Sequence, residues 1–212
     1  MTKIIVPAVI ARDQDELDGI LSRIADHAQL IQLDVMDGRF VPNHSLDFDF
    51  QLPGKKYAYE AHLMVQDPEL WVEKYAERVD TIIAHLEATR DPAALIEEIK
   101  RRSKRAALAL NPETGIERIM DHLEALDQVL VMTVHPGAYG SPFLPEMREK
   151  IRRLRRLRPF LDIEVDGGIK PDTIALVDAA GANMFVSGSY LVKGADFQER
   201  MEILTQKISS SP

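Results

Sequence analysis

The sequence predicts a single (β/α)₈ barrel over residues 1–212, and three observations point to it. Short β-rich runs alternate with amphipathic helical segments from end to end, the pattern of βα units around a parallel sheet. Eight β runs can be counted, a helical segment follows the last, and 212 residues sits at the lower end of barrel size. A doubly wound open sheet would also hold eight such units. It usually carries a glycine-rich turn after its first strand, and Ala8 to Asp13 has no glycine.

Taken in order, the strands are expected at Ile4 to Ile10, Leu30 to Met36, Tyr57 to Val65, Thr81 to Glu87, Arg105 to Asn111, Gln128 to Val134, Asp162 to Asp166 and Ala182 to Ser187. Helix starts are marked between them. Asp67-Pro68 and Asp91-Pro92 each offer an N-cap followed by proline, whose missing N–H costs nothing in the first turn. Asp13 with Glu16, and Thr114 with Glu117, have capping-box spacing. A closing helix is expected over Asp196 to Ser209. The second unit is the exception: Gly38 to Lys56 is rich in Pro, Asn and Asp with only a weak helical period, which predicts a loop or a stunted helix.

Composition narrows the function. With 45% hydrophobic residues the chain can bury one large core. A formal charge of -8 disfavours nucleic acid and anionic membrane as partners, and the basic stretch Lys150 to Arg158 reads as the solvated face of one helix. The absence of cysteine excludes disulfides and thiolate metal sites. Met1 to Val6 enters a β pattern without a leader, and no apolar run is long enough to span a bilayer, so a cytoplasmic location is expected.

Strand side chains alternate, so residues two apart share a face. Gln32, Asp34 and Met36 fall on one face of the second strand, Glu60, His62 and Met64 on one face of the third, and Asp162, Glu164 and Asp166 on one face of the seventh. Inner faces of barrel strands are normally filled by branched apolar residues, and burying an unpartnered charge is costly. Carboxylates and an imidazole near the C-terminal ends of three strands therefore need a chemical reason. They suit a metal site or an acid/base pair, because those strand ends open onto the face where barrels build active sites.

Six segments then carry a resemblance that covers nearly the whole chain. Leu33-Asp34-Val35-Met36-Asp37-Gly38-Arg39-Phe40-Val41-Pro42-Asn43, His62-Leu63-Met64, Ala109-Leu110-Asn111-Pro112, Val131-Met132-Thr133-Val134-His135-Pro136-Gly137, Glu164-Val165-Asp166-Gly167-Gly168-Ile169 and Val186-Ser187-Gly188-Ser189 resemble the signature blocks of ribulose-phosphate 3-epimerases, in order and at compatible spacing. The resemblance implies a barrel of the ribulose-phosphate-binding type and interconversion of ribulose 5-phosphate and xylulose 5-phosphate. It implies that Asp34 and Asp166 transfer protons on opposite faces of the substrate's C3, through an enediolate. It also implies a divalent metal, zinc, iron or manganese, bound by both aspartates and His62. By the same resemblance Met36, Met64 and Met132 line the pocket. The Gly167-Gly168 and Gly188-Ser189 turns fall where barrels often form a phosphate cradle of backbone N–H groups, and Gly137 and Gly140 match the family's loop glycines, which the resemblance implies join it. The implied partner is a small sugar phosphate; homo-oligomerisation is left open.

The chain departs from the family's pattern at three positions. Gln32 stands where the first histidine ligand is usual, and an amide oxygen is a weak zinc ligand beside imidazole, so the site is expected to bind metal weakly, to take a harder, oxygen-preferring ion, or to work without one. Ala8 replaces a serine near the substrate's hydroxyls, and Tyr139 replaces a loop glycine. His44 and His135 are poor substitutes for the missing ligand, since they fall in loops. These departures keep open another ketose phosphate as substrate, or a catalytically silent sugar-phosphate binder. An aldolase or decarboxylase of the same superfamily would need Asp-x-Lys-x-x-Asp on a strand, and Met36 occupies the lysine position.

Overall fold

A computed structural model describes residues 1–24, 27–54, 57–137, 140–193 and 196–209. In chain order the elements are β1 (Ile4–Val9), α1 (Gln14–Ile24), β2 (Leu30–Asp37), β3 (His44–Ser45), β4 (Ala58–Met64), α2 (Pro68–Tyr75), β5 (Thr81–His85), α3 (Pro92–Arg101), β6 (Arg105–Leu110), β7 (Gln128–Met132), α4 (Met147–Leu157), β8 (Asp162–Asp166), α5 (Ile174–Asp178), β9 (Met184–Ser187), α6 (Ser189–Val192) and α7 (Phe197–Ser209).

Strands β1, β2 and β4 to β9 are parallel, and β1 pairs with both β2 and β9, which closes the sheet into an eight-stranded barrel. The register Asp34↔His62 between β2 and β4, and Met132↔Asp166 between β7 and β8, sets which side chains meet inside. Each strand has two buried faces. Outward residues such as Ile31, Leu33, Leu63, Ile82, Leu108, Val129, Val165 and Phe185 join one continuous apolar layer under the helices. The interior is different. There the apolar residues form three small clusters, around Val6 and Val186, around Ile83 and Leu130, and around Met36 and Met64, with buried polar side chains between them. Phe185 is wholly enclosed in the outer layer. Phe185→Ala should therefore cost about 3–5 kcal/mol, measured by urea denaturation.

Helix starts follow the sequence signals in part. Asp91 caps α3 by accepting from Ala94 N–H at 3.0 Å, and Asp196 caps α7 by accepting from Glu199 N–H at 2.9 Å. Asp13 accepts from Glu16 N–H at 2.8 Å, while the Glu16 carboxylate returns to Arg12 N–H rather than to Asp13. Two expectations fail. The Asp67 carboxylate makes no cap hydrogen bond and instead faces Arg39 and Arg90, so proline alone marks the start of α2. Thr114 and Glu117 form no capping box, because the segment after β6 folds as two short 3₁₀ turns, Ile116–Arg118 and Met120–His122. The Thr114 hydroxyl is drawn to the Glu87 carboxylate instead.

The second unit has no helix in 38–54; Lys55 and Lys56, at the end of the predicted loop, lie outside the described residues. The chain turns back after β2, and β3 pairs antiparallel with its end through Met36↔Ser45 and Asp37↔His44. The Asp37 carboxylate locks that turn by accepting the N–H groups of Arg39, Phe40 and Gln66. In the basic stretch on α4, Arg152, Arg153 and Arg156 are exposed or nearly so, as expected. Lys150, Arg155 and Arg158 are half-buried instead, donating to the backbone carbonyls of Asn111, Leu161 and Leu123 respectively. Among the described residues, no helix is long and apolar enough to cross a membrane.

Candidate active site

At the C-terminal mouth of the barrel, β2 delivers Asp34, β4 delivers His62 and β8 delivers Asp166. His62 Nδ1 lies 3.3 Å from Asp34 Oδ1 and 3.3 Å from Asp166 Oδ2. One ligating atom from each of the three residues falls within 4.8 Å of the others, close enough to hold a metal ion. His62 is fully buried, Asp34 is buried, and Asp166 opens slightly into a cleft. Burial raises the Asp34 pKa, and the nearby Asp166 charge adds to it, against hydrogen bonds from His62 and Gln32. Burial opposes protonation of His62, but hydrogen bonds to Asp166 and Asp34, and their charges, outweigh it and push the imidazole up to about 9.

Gln32 points into the same space, as strand parity requires. Its Nε2 donates to Asp34 Oδ1 at 2.8 Å and to Asp166 Oδ2 at 3.0 Å, tying the two carboxylates together. Its Oε1 is buried and has no partner among the described residues. The amide therefore does more than stand in for a missing ligand: it donates to both anions. Turned over, it would offer a neutral oxygen to the same space. Two carboxylates, one imidazole and one amide oxygen form an oxygen-rich donor set that fits a divalent cation, harder ions better than zinc.

The cleft above is lined by Ala8, Met36, Met64, Met132, Asp34 and Asp166, with Gly137, Gly140, Gly167, Gly168, Gly188 and Ser189 around one side. Every predicted pocket residue thus borders one cavity. Tyr139 lies outside the described residues. Gly167 adopts a φ of 114° beneath Val134, whose side chain a Cβ would strike, and Gly137 adopts 103° against Val41. Glycine is needed at both for backbone conformation and for space. His44 and His135 do not reach the cluster. They are exposed and paired with Asp47 at 3.2 Å and Glu113 at 3.0 Å.

Sequence reasoning missed His85 on β5. It is fully buried, its Nε2 is 2.9 Å from His62 Nε2, and its Nδ1 is 3.3 Å from Glu87 Oε2. Burial pushes His85 down to about 4. Burial would raise Glu87, but hydrogen bonds from His85, Thr114 and the Asn111 N–H overcome it and pull that carboxyl down to about 2. The same parity rule, applied to Thr81, Ile83, His85 and Glu87, would have found the pair. Deeper in the barrel, Gln128 Nε2 donates to Glu164 Oε2 at 2.6 Å and lies 3.4 Å from Glu60 Oε2. Burial pushes Glu60 up to about 7, and burial with the Glu60 charge holds Glu164 well above the usual carboxylate range.

The chain matches the ribulose-phosphate 3 epimerase family over residues 4–192. It is 35% identical to the ribulose-phosphate 3-epimerase of Eremothecium gossypii, an alignment covering 97% of this chain and 92% of that protein. It is 38% identical to the cytoplasmic isoform from Oryza sativa subsp. japonica, covering 98% and 95%. Among solved structures, KGPDC from Streptococcus mutans superposes with a TM-score of 0.72 at 14% identity, covering 100% of this chain and 99% of that one. The 3-hexulose-6-phosphate synthase from Salmonella typhimurium reaches 0.70 at 14%, covering 99% and 100%. At such identity these two structures speak for the barrel alone. With the family match and the sequence relatives spanning almost its whole length, the chain belongs to the ribulose-phosphate 3-epimerase family.

Proposed function

We propose that the protein interconverts D-ribulose 5-phosphate and D-xylulose 5-phosphate by proton transfer at C3 between two aspartates. The observation that carries the reading is the convergence of Asp34 and Asp166 onto one cleft, each in contact with the buried His62 and Gln32. One carboxylate takes the C3 proton, and the electron pair of the broken C–H bond moves into an enediolate spanning C2 and C3. The other carboxylate returns a proton to C3 from the opposite face, which inverts that centre; the roles exchange in the reverse direction. Burial that raises the Asp34 pKa suits a group that must hold a proton for part of the cycle.

Asp34, His62 and Asp166 would hold a divalent cation, with Gln32 as a weak fourth ligand, and a cation held there would supply polarisation of the C2 carbonyl and stabilisation of enediolate charge. Met36, Met64 and Met132 give the cleft an apolar wall that keeps water from the intermediate. The lining of the cleft by Met36 also argues against a lysine-dependent aldolase or decarboxylase reaction. Action in the cytoplasm is supported by a relative named as a cytoplasmic isoform.

The phosphate is held at the glycine-lined side, by backbone N–H groups of the turns after β8 and β9. Gly188→Val should raise KM for ribulose 5-phosphate about tenfold or more with a small change in melting temperature, because a branched side chain fills the space phosphate oxygens need. An unchanged KM would remove the cradle from this account. The central test is turnover of ribulose 5-phosphate by chelator-treated protein with and without zinc, iron(II) or manganese(II). Phosphate-dependent binding without turnover under any of these conditions would instead favour a silent sugar-phosphate binder.

A further inference from the structure

We propose that His85 and Glu87 are positioning residues that set the tautomer of His62, so that His62 keeps a proton on Nε2 and turns Nδ1 toward Asp34 and Asp166. Proton accounting along the chain of contacts leads there. An ionised carboxylate can only accept. Glu87 Oε1 accepts the Asn111 N–H at 2.9 Å and the Thr114 hydroxyl, and Oε2 faces His85 Nδ1 at 3.3 Å, so His85 Nδ1 is the donor. A neutral imidazole carries one N–H, which leaves His85 Nε2 as a bare lone pair. That nitrogen sits 2.9 Å from His62 Nε2, and two nitrogens so close need one proton between them. With His62 Nδ1 turned to the ion site as a ligand, its one N–H is on Nε2 and supplies that proton.

The surroundings leave no easy substitute for this arrangement. Both imidazoles are fully buried and stacked at 5.0 Å between centroids, and Phe40 covers His85 with its ring centre 4.7 Å away. If His85 only filled space in the barrel, an apolar side chain would serve, and Glu87 would not need three donors directed at it. The chain runs from backbone and hydroxyl donors through Glu87 and His85 to His62. A ligating imidazole whose other N–H is donated to such a chain is held in one ring orientation and made more basic.

Glu87→Gln tests this with almost no change of shape. Because the Asn111 N–H can only donate, the new amide must turn its oxygen there, which leaves its NH₂ facing His85 Nδ1. His85 then carries its proton on Nε2 and donates to His62, and the His62 proton moves to Nδ1. Imidazole ¹⁵N spectra of metal-free protein, followed upward in pH until the His62 signals stop shifting, should show His62 with the proton on Nε2 in the wild type and on Nδ1 in the variant. Zinc affinity, measured by chelator competition, should weaken about tenfold or more in the variant, since the lone pair aimed at the ion is lost. His62 protonated on Nδ1 in the wild type would overturn the proposal, whether or not the variant folds. So would a variant with the wild-type tautomer. The zinc measurement rests on the metal reading above and the tautomer measurement does not, so a wild type that binds no zinc sinks that reading and leaves the spectra to decide this one.

Discussion

Asp34→Asn and Asp166→Asn should each lower kcat for ribulose 5-phosphate epimerisation by about 10³-fold or more while leaving the melting temperature nearly unchanged. General acid–base groups usually contribute about 10²- to 10⁴-fold, and in the proposed reading each of these carboxylates would also hold the cation, which places them at the upper end. The shape argument is favourable. Asparagine fits the same space, and each position already receives a hydrogen bond from Gln32, at 2.8 Å for Asp34 and 3.0 Å for Asp166, that an amide oxygen can accept. The wild-type product formed in D₂O should carry deuterium at C3. Either single variant retaining more than about a tenth of the wild-type rate, well above what that range allows, would contradict the two-aspartate assignment.

Gln32→His should tighten zinc binding by at least about tenfold, equivalent to about 1.4 kcal/mol. In the wild type an ion must displace the amide hydrogens that now bridge Asp34 and Asp166, and it gains at most a neutral oxygen in return. An imidazole there removes those hydrogens from the carboxylates and completes a mixed nitrogen and oxygen set of the kind zinc favours. Wild-type protein dialysed against chelator should retain little zinc, the variant should retain more, and elemental analysis of both decides. Stoichiometric zinc in the dialysed wild type would mean that Gln32 does not weaken the site. Zinc gained without any gain in rate would place the limit elsewhere, with Ala8 at the cleft wall and Tyr139 the first residues to change.

The barrel was legible because it rests on local repetition. Strand positions followed from apolar runs, the inward facing of Gln32, Asp34, His62 and Asp166 followed from a period of two, and the cap at Asp91 followed from short-range hydrogen bonding. Where long-range partners compete for the same group, local signals misled. Asp67 has capping spacing but two arginines engage its carboxylate, and Thr114 has capping spacing but Glu87, 27 positions away in sequence, takes its hydroxyl. The segment after β6 lost its helix to two 3₁₀ turns for which no sequence signal was read.

By itself the sequence determined the (β/α)₈ class, the family resemblance and the set of residues that share the pocket face, since each depends on residue order and side-chain alternation. Only the tertiary structure decided how those residues are joined. That Gln32 bridges the two aspartates depends on β2 and β8 meeting across a closed barrel, between residues 134 positions apart. That His62 Nε2 meets His85 Nε2 depends on the register of β4 with β5, where His62 lies beside Ile83 and His85 stands one pleat higher. Alternation says which face a side chain takes. Closure, strand register and the competition of donors for a few buried acceptors say what it touches there.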